Sequence, residues 1–210
     1  MDHNQIKGLY AIVDASFPDP LKTAASLLDG GARLVQFRAK ELPAGEFIRL
    51  GRELGLECRK HGALFIINDR IDVAMLIGAD GVHLGQDDMP ICEARKIFGE
   101  HKLIGISTHN LAEGLEAAEG GADYIGFGPI FKTGTKKDAQ AAKGLDALKE
   151  VRRGLSIPIV AIGGIDKGNI KSVFDAGADA AALISALAGA GDAKLATCDI
   201  INIIGGVNER

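Results

Sequence analysis

The chain has 210 residues, of which 47% are hydrophobic and 25% charged, and this length and composition predict one soluble globular domain with a substantial core. The net charge of −4 argues against a nucleic-acid partner. We expect no secretory signal, because Met1-Asp2-His3-Asn4-Gln5 is not a basic segment followed by an apolar core, and no membrane span, because no apolar run approaches about 18 residues. The three scattered cysteines form no metal-binding spacing and predict no disulfide framework, so we expect a cytoplasmic protein with reduced thiols.

Short apolar runs alternate along the chain with segments of helical periodicity. The apolar runs predict eight strands: Leu9–Val13, Leu34–Arg38, Leu64–Asn68, Gly81–Leu84, Leu103–Ser107, Tyr124–Phe127, Ile159–Ile162 and Ala181–Ile184. The periodic segments predict the helices between and after them: Ala24–Leu28, Glu46–Arg59, Ile71–Ile77, Ile91–Phe98, Leu111–Glu119, Leu145–Val151, Ile170–Ala176 and Leu195–Ile204. Eight such units predict an α/β fold, a single-domain (β/α)8 TIM barrel over residues 1–210.

A doubly wound open sheet is the alternative architecture. Such a sheet usually has fewer strands and favours a Gly-x-Gly-x-x-Gly fingerprint after its first strand, where this chain has Val13-Asp14-Ala15-Ser16-Phe17. A loose internal repeat also fits the barrel, because a glycine that ends a helix precedes several strands. The repeat segments are Gly31-Ala32-Arg33-Leu34, Gly78-Ala79-Asp80-Gly81, Gly121-Ala122-Asp123-Tyr124 and Gly177-Ala178-Asp179-Ala180.

The carboxyl ends of barrel strands are where function gathers. At the end of the second strand, Gln36, Arg38 and Lys40 share one face, and the residues between them are apolar. Packing of the apolar face against helices would leave these three side chains pointing into the barrel mouth. A solvated strand end is the structural alternative.

Two acidic residues follow the next two strands. Asp69 closes the run that ends at Asn68, and Asp88 follows the strand that ends at Leu84. Because neighbouring parallel strands lie roughly 5 Å apart, the two carboxylates could converge on one point and bind Mg²⁺. Each acid alone could also be a turn residue or a helix N-cap.

The fifth strand ends in Ser107-Thr108-His109, which either binds a ligand or only begins a helix. The sixth strand leads into the one long irregular stretch, residues 128–143, which has the size of a binding loop or lid. The hydroxyl and ammonium groups of this loop, on Thr133, Thr135 and Lys136, suit phosphate or carboxylate oxygens.

Glycines follow the seventh strand, at Gly163 and Gly164, and a short helix start follows the eighth, at Ile184 and Ser185. Barrels often bind a phosphate group at this pair of strand ends, through backbone N–H groups and a helix N-terminus. The sequence therefore predicts two anion sites: one formed by cationic side chains and a metal, strong enough for a pyrophosphate, and one formed by backbone amides, suited to a phosphate monoester.

Over nearly its whole length the chain resembles the thiamine-phosphate synthase family. The motifs that carry the resemblance are Gln36-x-Arg38-x-Lys40, Asn68-Asp69-Arg70, His83-Leu84-Gly85-Gln86-Asp87-Asp88, Gly105-Ile106-Ser107-Thr108-His109, Gly126-Phe127-Gly128-Pro129-Ile130-Phe131, Thr133-Gly134-Thr135-Lys136, Ala161-Ile162-Gly163-Gly164-Ile165 and Ile184-Ser185-Ala186. Each motif is weak alone, but their common order is specific. Lys132 departs from the family, in which proline is common at that position of the loop.

The resemblance implies an enzyme that couples 4-amino-2-methyl-5-hydroxymethylpyrimidine pyrophosphate to a thiazole phosphate, giving thiamine phosphate and pyrophosphate. It implies Mg²⁺ as the cofactor, with Asp69 and Asp88 as ligands, and pyrophosphate loss before the thiazole nitrogen attacks. The substrate-binding residues it implies are Arg38, Lys40, Asn68, Ser107 and Lys136 for pyrophosphate, Gln36 for the pyrimidine, Thr133 and Thr135 for the thiazole, and the backbone of Gly164, Ile184 and Ser185 for its phosphate. Among these, Arg38, Lys40, Ser107 and Lys136 are the predicted catalytic residues.

Two other functions stay open at this stage. A thiazole tautomerase shares the barrel and the monoester site, but it needs an acid/base residue and no metal pair. A non-catalytic phosphate-sensing barrel would have no use for a Lys/Thr loop beside a metal site. Small-molecule substrates are the expected partners, with neither nucleic acid nor membrane, and the sequence leaves open whether the chain forms a homo-oligomer.

Overall fold

The computed structural model describes residues 5–134 and 141–208, and it shows a closed barrel of parallel strands. The eight strands follow one another around the barrel in chain order: β1 (Gly8–Asp14), β2 (Leu34–Arg38), β3 (Leu64–Asn68), β4 (Gly81–Leu84), β5 (Leu103–Thr108), β6 (Tyr124–Phe127), β7 (Ile159–Ile162) and β8 (Ala180–Leu183). The described helices are α1 (Pro20–Asp29), α2 (Ala44–Lys60), α3 (Ile71–Ile77), α4 (Ile91–Phe98), α5 (Leu111–Glu119), α6 (Gly144–Gly154), α7 (Ile170–Asp175), α8 (Ser185–Ala188) and α9 (Ala193–Asn208). The predicted (β/α)8 barrel is confirmed.

Differences from the predicted bounds are small and lie at element ends. Strand β8 begins and ends one residue earlier than predicted, and Ile184 is the N-cap of α8 rather than a strand residue. Helix α1 begins at Pro20, because Asp19 caps it by accepting a hydrogen bond from the Lys22 amide at 3.0 Å. In the described part of the chain, no helix combines the length and apolar character needed to cross a membrane.

The hydrophobic core consists of two clusters, one between the strands and the surrounding helices and one inside the barrel. Outward-facing strand residues pack against the helices; the rings of Phe37 and Phe47, for example, meet edge to face with centroids 5.2 Å apart. The inner cluster is smaller and consists of Ile6, Tyr10, Ile12, Leu34, Ile66, Leu103, Tyr124, Val160, Ala180 and Ala182. It fills the barrel interior, and Tyr10 and Tyr124 bring hydroxyl groups into it.

The Gly-Ala-Asp repeat has a structural explanation. In three of its copies the aspartate carboxylate accepts a hydrogen bond from a backbone amide of the neighbouring strand, at 2.7–2.8 Å. The acceptors are Asp80, Asp123 and Asp179, and the donors are Phe65, Ile104 and Ile159. The preceding glycines have positive φ, as predicted for residues that end a helix in the left-handed region. The repeat therefore stabilises the lower rim of the barrel, away from the strand ends that carry the site.

Candidate active site

Arg38 and Asp14 form an ion pair at the mouth, where β1 and β2 lie side by side with these two residues in register. Both side chains are largely buried, at 18% and 14% exposure. Burial alone would raise the pKa of Asp14, but hydrogen bonds from Ser16 and Arg38 outweigh it, and the pKa is lowered. Asp14 therefore stays ionised and orients the Arg38 guanidinium.

Sequence reasoning did not identify Asp14 as a site residue. A single aspartate after a strand resembles any turn residue. The available signal was its position at the carboxyl end of the first strand, directly beside a strand with a polar face.

Asp69 lies just above β3 and joins the cationic group on β2. Its carboxylate is 3.6 Å from Lys40 Nζ, and Arg38 also acts on its charge. Its backbone has φ of 63°, which makes it the one non-glycine residue with positive φ in the described ranges. This left-handed conformation is uncommon outside glycine, and such strain is concentrated at functional sites. The side chain is not a helix cap, since Arg70 is the N-cap of α3.

Asp88 meets Asp69 from the next strand end, as the parallel-strand argument predicted. The two carboxyl groups lie within hydrogen-bonding reach of each other. The pKa of Asp69 is raised, first by burial and then by the negative charge of Asp88, while Lys40 and Arg38 act in the opposite direction. Asp88 Oδ2 also accepts a hydrogen bond from the Gly85 amide at 2.7 Å, so it closes its own turn as well as facing Asp69.

Ser107 lies at the end of β5, next to the loop that carries Asp88. The Gln86 side-chain nitrogen donates to the Ser107 backbone carbonyl oxygen at 2.6 Å, which ties the β4–α4 loop to β5. The Ser107 hydroxyl is 2.9 Å from His83 Nε2. Ser107 is not the cap of the following helix; Asn110 is, through a hydrogen bond that its side chain accepts from the Glu113 amide. The hydroxyl is therefore a candidate ligand-binding group.

Gln36 and Asn68 lie deeper than the charged residues. Gln36 is 4% exposed, and its side-chain nitrogen donates to the Tyr10 hydroxyl at 2.9 Å, so it lines the interior just below the mouth. Asn68 is 9% exposed at the end of β3, in register with His83. A ligand that entered through the mouth of the barrel would therefore have both side chains beneath it, on the interior side.

The long loop after β6 is held at its base. The Ile130 amide donates to the Ile162 carbonyl at 2.8 Å, and the Ile130 carbonyl accepts from the Gly144 amide at 3.0 Å. Thr133 follows this base in the chain and is partly buried. Thr135 and Lys136, which were predicted to bind ligand, lie outside the described residues.

The predicted monoester site combines the ends of β7 and β8. Gly164 has φ of 64°, and a Cβ there would come within 2.7 Å of the Lys132 carbonyl oxygen, so the loop base packs directly on this glycine. The Asn169 side chain donates to the Gly164 carbonyl at 2.9 Å and fixes the turn. Ile184 and Ser185 begin α8, whose first amide groups have no partner within the helix.

No cluster of three or more metal-binding His, Cys, Asp or Glu side chains is present among the described residues. The paired carboxylates of Asp69 and Asp88 nevertheless suit a hard divalent cation that takes its remaining ligands from substrate oxygens and water. The pKa of Asp69 is raised first by burial and then by the negative charge of Asp88, and a bound cation would offset both effects.

Comparison with known proteins defines the class. A family model described as thiamine monophosphate synthase matches residues 9–187. Thiamine-phosphate synthases from Clostridium novyi and Chloroflexus aurantiacus are 48% and 44% identical, over 93% and 96% of this chain and 97% and 94% of theirs. The structure of thiamine phosphate pyrophosphorylase from Pyrococcus furiosus superposes with a TM-score of 0.91 at 40% identity, covering 98% of both chains.

The fold, the site and these relatives together define a TIM-barrel transferase that acts on small molecules. The chain belongs to the thiamine-phosphate synthase family.

Proposed function

We propose that this enzyme joins 4-amino-2-methyl-5-hydroxymethylpyrimidine pyrophosphate to a thiazole phosphate, releasing pyrophosphate and forming thiamine phosphate. The observation that carries the proposal is the charged cluster at the mouth. Arg38 and Lys40 lie beside the facing carboxylates of Asp69 and Asp88, at the ends of three neighbouring strands. A pyrophosphate needs both kinds of group, cations for its oxygens and carboxylates for its metal.

Asp69 and Asp88 would hold Mg²⁺, which would offset charge on the departing pyrophosphate. Arg38, oriented by Asp14, and Lys40 would neutralise the same oxygens from the β2 side. Ser107, Asn68 and Lys136 would complete the pyrophosphate site. Gln36 would hydrogen-bond the pyrimidine ring from below.

The thiazole phosphate would bind on the opposite side of the mouth. Its phosphate suits the backbone of Gly164, Ile184 and Ser185, because glycine lets the chain approach closely and the start of α8 presents amide groups. Thr133 and Thr135 would hold the thiazole. This arrangement places the thiazole nitrogen across the mouth from the pyrophosphate site.

We further propose that pyrophosphate leaves before the new bond forms. The residues around the mouth stabilise a departing anion, and the two histidines near these strand ends have side-chain partners: His83 is buried between Tyr124 and Ser107, and His109 Nδ1 is 2.9 Å from Glu113. Capture of a pyrimidine-stabilised carbocation by the thiazole nitrogen removes no proton, so it requires no general base.

The thiazole tautomerase is the competing function, and the Asp69–Asp88 pair favours the synthase. The test is an incubation of the purified enzyme with both substrates and Mg²⁺, with the products separated and identified. We expect thiamine phosphate and pyrophosphate in equal amounts, and no change to the thiazole when the pyrimidine substrate is omitted. Thiazole isomerisation without the pyrimidine would contradict the proposal and favour the tautomerase.

Removal of a cation from the pyrophosphate site should slow chemistry. We expect Arg38→Ala and Lys136→Ala each to lower kcat by about two to three orders of magnitude, by analogy with the loss of one donor from an oxyanion site. Arg38→Lys, which keeps the charge but not the paired N–H geometry, should retain part of the rate. Steady-state kinetics measure kcat and the KM for each substrate. A change confined to the KM for thiazole phosphate would contradict the role of these residues in pyrophosphate binding.

A further inference from the structure

Five polar side chains form a continuous hydrogen-bonded path across the barrel interior. Gln36 Nε2 donates to Tyr10 Oη at 2.9 Å, and Tyr10 Oη is 3.0 Å from Tyr124 Oη. Tyr124 Oη is 3.2 Å from His83 Nδ1, and His83 Nε2 is 2.9 Å from Ser107 Oγ. The path joins two predicted substrate-binding residues, Gln36 and Ser107, through three side chains that the proposed chemistry does not use.

The barrel makes room for this path with two strand glycines. A Cβ at Gly105 would overlap the Tyr124 ring, and a Cβ at Gly126 would lie 2.9 Å from His83 Cε1. Glycine weakens a strand interior, and in that setting it often marks a close approach. Here the close approach is by the two rings, which lie with centroids 5.5 Å apart. The polar path is therefore built into the strands that surround it.

The hydrogen atoms of the path have one consistent direction. Because Gln36 donates to Tyr10, the Tyr10 hydroxyl hydrogen is left for Tyr124, and the Tyr124 hydrogen is left for His83 Nδ1. His83 Nδ1 then accepts, so the neutral ring carries its hydrogen on Nε2 and donates it to Ser107. Burial raises the pKa of both tyrosines, which keeps their hydroxyl hydrogens in place.

Hydrogen bonds that ran in the opposite direction, from Ser107 toward Gln36, would conflict with the hydrogen bond that Gln36 donates to Tyr10. If Tyr124 donated to Tyr10, the Tyr10 oxygen would accept twice and its own hydrogen would have no acceptor along the path, which is costly for a fully buried group. Reversal of the whole path would also require the Gln36 amide to turn over, and Ser107 would then give its hydrogen to His83. The Ser107 hydroxyl would then have no hydrogen left to donate, and its lone pairs would repel an anion.

We propose that Tyr10, Tyr124 and His83 are positioning residues whose hydrogen bonds run in one direction, holding Ser107 as a hydrogen-bond donor toward the mouth and leaving the Gln36 carbonyl oxygen for the substrate. The role of the Ser107 hydrogen, which is to meet an oxygen of the departing pyrophosphate, rests on the proposed function. The direction of the path does not, because it is a property of the ligand-free barrel. The same buried path thereby orients Gln36, which would contact the pyrimidine ring, and Ser107, which would contact the pyrophosphate.

The direction is tested by nitrogen NMR of the histidine rings in ligand-free enzyme, with the His83 signals assigned by their loss in His83→Gln. We expect His83 Nε2 to carry the hydrogen and Nδ1 to accept. Tyr10→Phe and Tyr124→Phe are a matched pair, since each removes one fully buried hydroxyl oxygen, but only Tyr124 contacts His83. Tyr10→Phe should keep the His83 tautomer, because the Tyr124 hydroxyl hydrogen still has His83 Nδ1 as its acceptor on the path, whereas Tyr124→Phe should convert it to a mixture. A hydrogen on Nδ1 in the unaltered enzyme, or an unchanged tautomer in Tyr124→Phe, would overturn the proposal.

Enzyme kinetics provide the second test. This test uses variants of His83 and can be carried out even if Tyr124→Phe does not fold. The side-chain nitrogen of glutamine can reach the position of His83 Nε2, whereas that of asparagine ends near Nδ1. We expect His83→Asn to lower kcat by roughly ten- to a hundredfold, by analogy with the loss of residues that orient metal ligands, with His83→Gln retaining more of the rate and the KM for thiazole phosphate unchanged. Asparagine equal to or better than glutamine would contradict the role of Nε2. Absence of thiamine phosphate formation by the unaltered enzyme would instead contradict the proposed function and leave the NMR result standing.

Discussion

Asp69→Asn and Asp88→Asn should each reduce thiamine phosphate formation to the background rate while the protein stays folded. Each substitution keeps the size of the side chain and removes the negative charge that a magnesium site requires. Asparagine also tolerates the left-handed backbone at position 69, where φ is 63° and alanine would be strained. Turnover assays with both substrates measure the loss, and circular dichroism with thermal unfolding checks the fold.

Asp69→Gly is a sharper control for the same site. Glycine relieves a left-handed strain on the order of 1 kcal/mol, which offsets the added flexibility of the unfolded chain, so stability should stay close to that of the unaltered enzyme. Activity should still be lost, because the carboxylate is gone. EDTA should also stop turnover in the unaltered enzyme, and added Mg²⁺ should restore it. Full activity in EDTA, or in any of these variants, would refute the metal assignment.

Replacement of the 2-methyl group of the pyrimidine substrate by trifluoromethyl should slow the reaction by orders of magnitude. If pyrophosphate leaves first, positive charge develops on the pyrimidine, and an electron-withdrawing substituent raises the energy of that cation. If the thiazole nitrogen attacked while pyrophosphate was still bound, little charge would develop and the substituent effect would be small. Single-turnover rates with the two substrates measure the difference.

His109→Ala is the matched enzyme variant for this mechanism, and it should lower kcat by less than about threefold, since the proposed order of steps requires no general base. Asn110 caps α5, and both the amide and the Nδ1 atom of His109 contact Glu113, so this histidine has a structural role. Its loss should appear as a small decrease in unfolding temperature. A severe loss of kcat together with a small trifluoromethyl effect would favour the tautomerase chemistry.

The barrel could be predicted because its signals are local. Eight apolar runs, separated by segments of helical periodicity, specify alternating strands and helices. Because the connections are short, consecutive parallel strands lie side by side and close the barrel in chain order. The convergence of Asp69 and Asp88 was also predictable, because the side chains at the ends of neighbouring parallel strands lie close together.

The parts of the site that sequence reasoning missed depend on register and on side-chain direction. Asp14 acquires its partner only because β1 and β2 align it with Arg38. Tyr10 and Tyr124 meet His83 inside the barrel, and although His83 stands in a recognised motif, no local pattern shows that these three strands bring the side chains together. The one local sign was glycine at inward positions of two strands, at Gly105 and Gly126, where a space-filling side chain would be expected.

We propose that pyrophosphate leaves the mouth before the thiazole nitrogen attacks. Positional isotope exchange measures this directly: the oxygen that joins the pyrimidine methylene to phosphorus is labelled with oxygen-18, and the substrate is incubated with enzyme and Mg²⁺ without thiazole phosphate. We predict that the label moves to the non-bridging oxygens of the same phosphorus, seen by phosphorus NMR, because a departed pyrophosphate rotates before it recombines with the cation. A label that stays in the bridge, in enzyme that forms thiamine phosphate as soon as thiazole phosphate is added, would contradict the account.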